Sequence, residues 1–219
     1  MITIVELNQI IQNLANERPI FHSEADFQHA LAWLIHEKYP SCRMRLEVNP
    51  YTNGQRAYLD ILFYINKIPI AIELKYKTRK LDISYSGEDF HLLDQSAQDA
   101  GRYDFIKDIG RLERFASAHP RSCGFAIFLT NDANYWQPAK RQSATTFDQF
   151  RIHDNSILQG RLQWGNLASA GTQKGREQVL ELINEYPLHW HDYSEVIDTS
   201  AGRFRYLLLA THNETSNRA

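Results

Sequence analysis

The chain has 219 residues, 43% of them hydrophobic and 12% aromatic, enough to bury one substantial core without covalent staples. Its 24 basic and 26 acidic residues nearly balance, which argues against a polycation that coats nucleic acid non-specifically. Two cysteines, an N-terminus interrupted by Glu6, Asn8 and Gln9, and no apolar run near the ~20 residues of a membrane span point to a soluble, cytoplasmic protein with free thiols and no membrane partner.

Residues 3–15 place Ile4, Leu7, Ile10, Ile11 and Leu14 at spacings of three and four, the pattern of an amphipathic helix. A second helix starts at Ser23, an N-cap residue with Asp26 three positions on as a capping-box partner. It carries Phe27, Ala30, Leu31, Leu34 and Ile35 on one stripe and stops before Pro40. Three strands follow, at Arg43–Val48, Ala57–Ile65 and Ile68–Lys77. Pro50, Asn53 and Gly54 separate the first two, and Asn66-Lys67 makes a two-residue hairpin between the last two.

Residues 78–91 are polar and read as a loop, and a long helix is expected over 92–117, followed by a buried strand at Cys123–Leu129. The crossover helix permits a parallel pairing that a tight turn forbids, so a mixed sheet with helices on its faces is expected. Residues 131–175 are polar with scattered aromatics, 175–185 look helical, and Phe204–Ala210 reads as a last buried strand. The expected organisation is one domain over 1–211, with its core at about 20–130, a C-terminal elaboration over 131–211 and a flexible tail at 212–219.

Charged residues inside apolar strands are costly unless they are paired or bind a cation. Asp60 lies in Tyr58-Leu59-Asp60-Ile61-Leu62, and Glu73 and Lys75 lie in Ile70-Ala71-Ile72-Glu73-Leu74-Lys75. A hairpin at Asn66-Lys67 sets Asp60 opposite Glu73, and Lys75, two residues further on, shares their face. Two carboxylates held this close call for a hard divalent cation. The alternative is an ordinary Glu73–Lys75 ion pair on an exposed face, with Asp60 a solvated neighbour.

Asp60 followed on the next strand by Glu73-Leu74-Lys75 resembles the signature of the PD-(D/E)XK nuclease superfamily, with Leu59 where the leading proline stands. The resemblance covers about residues 20–130 and implies a restriction-endonuclease-like α-β-β-β-α-β fold. It implies catalysis of phosphodiester hydrolysis by Asp60, Glu73 and Lys75, and Mg²⁺, or Mn²⁺ in its place, held by Glu24, Asp60, Glu73 and the Leu74 carbonyl. Glu24 also has a simpler role, favouring the positive end of its helix. The implied partner is nucleic acid, DNA first, with a homodimer as a possible assembly. Lys77, Arg79, Lys80, Gln98 and Arg102 are the candidate contacts to it, although basic residues at a strand end are also ordinary surface. A catalytically inactive module on the same fold, binding nucleic acid or a protein, is the alternative.

Other chemistries find less support. His189-Trp190-His191 lacks a third ligand at zinc spacing, and the chain has neither a Gly-x-Ser-x-Gly elbow nor a Gly-x-x-x-x-Gly-Lys loop.

Overall fold

The computed structural model describes residues 2–49, 58–139 and 143–211. The expected strand start at Ala57, the Pro50, Asn53 and Gly54 break, Lys140 and Arg141 in the polar stretch, and the 212–219 tail lie outside them.

Helix α1 (Ile4–Glu17) opens on a capping box between Thr3 and Glu6 and buries Leu7, Ile10, Ile11 and Leu14. Helix α2 (Glu24–Lys38) is capped by Ser23, whose side chain accepts from the Asp26 amide. The expected reciprocal half of that box is replaced: the Asp26 carboxylate accepts from the His22 amide, and both of its oxygens accept from Arg18 Nη2. The central sheet begins with β1 (Arg43–Val48), β2 (Leu59–Ile65) and β3 (Ile68–Lys77). Asn66 and Lys67 both adopt positive φ, 51° and 68°, so the β2–β3 connection is the tight hairpin that the sequence predicts.

Residues 78–91 are not a loop. They hold most of a second hairpin, β4 (Leu81–Tyr85) and β5 (Glu88–Leu92), turned by Ser86 and Gly87 with φ of 52° and 84°. Leu81, Phe90 and Leu92 bury against the same core as α1 and α2, which explains why this polar segment is ordered. Helix α3 (Gln98–Ala118) therefore starts later than its apolar pattern alone predicts. It crosses over to β6 (Cys123–Thr130), which pairs with β3 in parallel.

Beyond β6 come β7 (Ile157–Leu162), β8 (Leu180–Pro187), β9 (Trp190–Glu195) and β10 (Arg203–Thr211). The 175–185 region is thus not helical: residues 175–179 form a turn and irregular chain, and 180–185 belong to β8. β8 pairs with β7, buries Leu180, Leu182 and Tyr186, and is fastened to α3 by Glu113. That buried carboxylate accepts from the Ile183 and Asn184 amides and from the Tyr186 hydroxyl.

The six-stranded mixed sheet runs β1-β2-β3-β6-β10-β9. One core, with α1 and α2, covers the face of Ile61, Ile72, Leu74 and Ile127; the other, with α3 and the β7–β8 hairpin, covers that of Ala71, Ala126, Phe128 and Leu207. No helix among the described residues is long and apolar enough to cross a membrane.

Candidate active site

The registered β2–β3 ladder runs from Ile65↔Ile68 to Ile61↔Ile72, so Asp60 and Glu73 stand at the next step, where the strands part. On the other side of Asp60, Glu47 of β1 adopts φ 52°, a strained conformation for a non-glycine residue, and no pairing is registered between Glu47 and Asp60. Gln28 of α2, almost wholly buried, bridges the two by donating to Glu47 Oε1 at 2.8 Å and to the Asp60 carbonyl at 2.7 Å.

Once β2 departs, the edge amides of β3 need other acceptors. Asp60 Oδ2 accepts from the Leu74 amide at 2.5 Å, and Glu24 Oε2 accepts from the Tyr76 amide at 2.7 Å. Ser23 thus sets the start of α2 so that Glu24, in its first turn, reaches β3. Each of these two carboxylates caps the edge through one oxygen.

Glu73 is 1% exposed, so the exposed-face ion pair expected as the alternative is not what forms. Lys75 instead pairs with Asp108 Oδ2 of α3 at 2.7 Å, and its ammonium also donates to the Leu74 carbonyl at 3.0 Å. Arg111, one turn beyond Asp108, holds Glu73 Oε1 at 2.6 Å and Asp108 Oδ1 at 2.9 Å. Glu73 Oε2 is buried with no hydrogen-bond partner among the described residues.

Four carboxylates, Glu24, Asp60, Glu73 and Asp108, thus face two cations, Lys75 and Arg111. Burial is the largest influence on Asp60 and pushes its pKa up to about 6. Glu24 and Asp108 add to the rise, while the Leu74 amide and Lys75 oppose it. Glu73 is driven well above the usual carboxylate range by burial and then by Asp108, against the pull of Arg111. Burial disfavours the Lys75 ammonium, but Asp108, Glu24 and Asp60 outweigh it and hold that group well above the ordinary lysine value. All three displacements are upward, as burial together with an excess of negative charge produces.

Among the described residues no three His, Cys, Asp or Glu side chains form a ready cation cage. The donor set nonetheless fits a hard cation of the magnesium type, which binds through one or two carboxylates and keeps several waters. Glu73 Oε2 is a buried oxygen with no hydrogen-bond partner among the described residues, and a cation would supply one.

Asp60, Glu73, Lys75, Leu74 and Glu24 are therefore brought together. Lys77 ends β3 on the face of Glu73 and Lys75 by strand alternation. Arg79 and Lys80 follow it at the surface, where Lys80 pairs with Asp82. Gln98 and Arg102 stand apart, in a separate cavity at the N-terminal end of α3. Asp108, Arg111 and Gln28 are site neighbours that the strand motif did not identify. The sign available for Asp108 was a charge flanked by Phe105, Ile106, Ile109 and Leu112 on a buried helix. Compared with protein-family models, curated proteins and solved structures, the chain matches none of them.

Proposed function

We propose that this chain is a metal-dependent nuclease of the PD-(D/E)XK type, hydrolysing phosphodiester bonds in nucleic acid, with DNA the substrate class. The observation that carries this reading is the buried cluster of Asp60, Glu73 and Lys75 at the parting of β2 and β3, in which Glu73 Oε2 lacks any partner among the described residues. The sequence from α2 through β1, β2, β3 and α3 to a parallel β6 supports a restriction-endonuclease-like fold, with the β4–β5 hairpin as an insertion.

Asp60, Glu73 and the Leu74 carbonyl, with Glu24 beside them, are the groups that would hold Mg²⁺ or Mn²⁺. Bound there, the cation would polarise the scissile phosphate and lower the pKa of a coordinated water. Lys75, kept charged by Asp108, orients the attacking water and offsets negative charge that develops on the phosphate. Arg111 fixes one Glu73 oxygen and leaves the other available. Lys77, Arg79 and Lys80 provide phosphate contacts that position a strand without reading its sequence. Cutting both strands of a duplex favours a homodimer, and the two unbonded cysteines, Cys42 and Cys123, support a cytoplasmic setting.

The test is nicking of supercoiled plasmid with Mg²⁺ or Mn²⁺, against EDTA and against Glu73→Ala and Lys75→Ala. Metal-dependent cutting lost in both variants supports the proposal. One observation favours a second reading, an inactive binding module: Arg111 already neutralises Glu73 from within the chain. Binding of nucleic acid without metal dependence or cutting would select that reading.

A further inference from the structure

A cavity of about 470 Å³ lies between the first turns of α3 and residues 134–139 and 145–151, within the size range of small-ligand sites. Gln98, Arg102, Asn134, Thr145, Phe147 and Arg151 contribute to its lining, and no carboxylate does so among the described residues.

Arg102 is 4% exposed. Its guanidinium lies 5.2 Å from the Tyr135 ring centroid and 5.3 Å from that of Phe147, and donates to the Asn134 carbonyl at 2.5 Å. Among the described residues its Nε is buried without a hydrogen-bond partner, and no carboxylate forms an ion pair with it. Its nearby acids are occupied otherwise: Asp132 accepts from Gln98 and the Asn134 amide, and Asp99 from the Ala100 amide.

Arg151 brings a second guanidinium to the same cavity, 5.0 Å from the Phe147 centroid, and is tied to Asp148 at 2.8 Å. The positive potential reaches neighbouring groups: burial, then Arg151 and Arg102, hold the His153 imidazole below its usual pKa. A buried cation without a counter-ion is costly, and the aromatic clamp holds this one in place.

We infer that this cavity is a phosphoryl-binding site, distinct from the Asp60–Glu73 cluster, that takes the phosphate of a nucleotide, either free or at the end of a strand. Two planar guanidinium forks from different elements suit an oxyanion that accepts hydrogen bonds in several directions. The positive end of the 21-residue α3, where Gln98 is the first residue, adds to the attraction. Gln98 and Arg102, four apart, share the helix face that lines the cavity. The inference stands independently of the nuclease reading.

The test is calorimetric titration in EDTA, so that hydrolysis plays no part, with four probes: dTMP, a 5′-phosphorylated hexathymidylate, its 5′-hydroxyl counterpart, and succinate as a carboxylate control. The expected result is binding of dTMP or of the phosphorylated oligomer above the hydroxyl oligomer and above succinate. Which of the two phosphorylated probes binds tells a free nucleotide from a strand end. Arg151→Gln is expected to weaken that binding about tenfold to hundredfold, the range for a lost charge-assisted hydrogen bond. Arg102→Lys, which keeps the charge and loses the fork, is expected to weaken it too. Arg151 lines the cavity and is half-buried, outside the core, so its variant decides the matter even if the Arg102 variant does not fold. Equal affinity for the phosphorylated and hydroxyl oligomers with no dTMP binding, succinate binding as tightly as dTMP, or phosphate binding unaffected by Arg151→Gln would overturn the inference.

Discussion

Lys75 Nζ lies 2.7 Å from Asp108 Oδ2, so the lysine of the strand motif takes its counter-charge from a helix rather than from the glutamate two residues before it. Glu73 is thereby left to Arg111 through one oxygen and to no partner among the described residues through the other. This division lets one small space hold a charged lysine beside a carboxylate free to bind a cation.

Asp108→Asn is expected to destabilise the fold by about 3–5 kcal/mol, the usual cost of stranding one member of a buried ion pair. Urea unfolding checks this through the midpoint. A charge-insensitive site would show little change.

Asp60 yields a pH dependence of defined sign. Its folded pKa of about 6 lies above the ordinary carboxylate value, so its contribution to stability is fully present below about pH 4 and is lost as pH rises through about 6. The loss is on the order of 3 kcal/mol for a shift of about two pH units. Asp60→Asn is expected to remove this dependence and, without metal, to raise the melting temperature at pH 8 relative to wild type while abolishing cleavage. Melting curves from pH 4 to pH 8 with EDTA provide the measurement.

Glu24 combines two roles that substitutions separate. Glu24→Ala removes the acceptor of the Tyr76 amide, at a cost of about 1–3 kcal/mol. Glu24→Gln keeps an acceptor oxygen and loses the charge. The glutamine variant is expected to melt near wild type but to need more Mg²⁺ for half-maximal cutting, and a metal requirement identical to wild type would limit Glu24 to capping the strand.

Gly124 of β6 sits where Leu112 of α3 packs tightly on the sheet. A Cβ there would lie 2.6 Å from Thr211 Oγ1 and 2.8 Å from Leu112 Cβ. Gly124→Ala is expected to cost about 1–3 kcal/mol by overpacking, read from chemical denaturation.

The strands that build the site were legible because apolar runs and turn residues marked them: Asn66-Lys67 fixed the β2–β3 register, and that register set Asp60 beside Glu73. The β4–β5 hairpin was hidden by its exposed Asp82, Ser84, Glu88 and Asp89, although Leu81 and Ile83 before Ser86-Gly87 and Phe90 and Leu92 after it alternate as a hairpin requires. Segment 175–185 carries good helix formers, Glu181, Leu182 and Glu185 among them, and tertiary pairing with β7 and the Glu113 clamp override that propensity. The contribution of α3 was not legible from local pattern, because which face of a helix meets a strand motif depends on packing between distant segments. Asp108 and Arg111 appear as site residues only once α3 lies across β3.

Whether Glu73 anchors a cation is decided by Mn²⁺ titration at pH 8, followed by calorimetry, into wild type and Glu73→Gln, with circular dichroism confirming that both are folded. Saturable binding to wild type that is lost in the variant is the expected result. No binding to wild type, or equal binding to both, would contradict a cation centre built on Glu73.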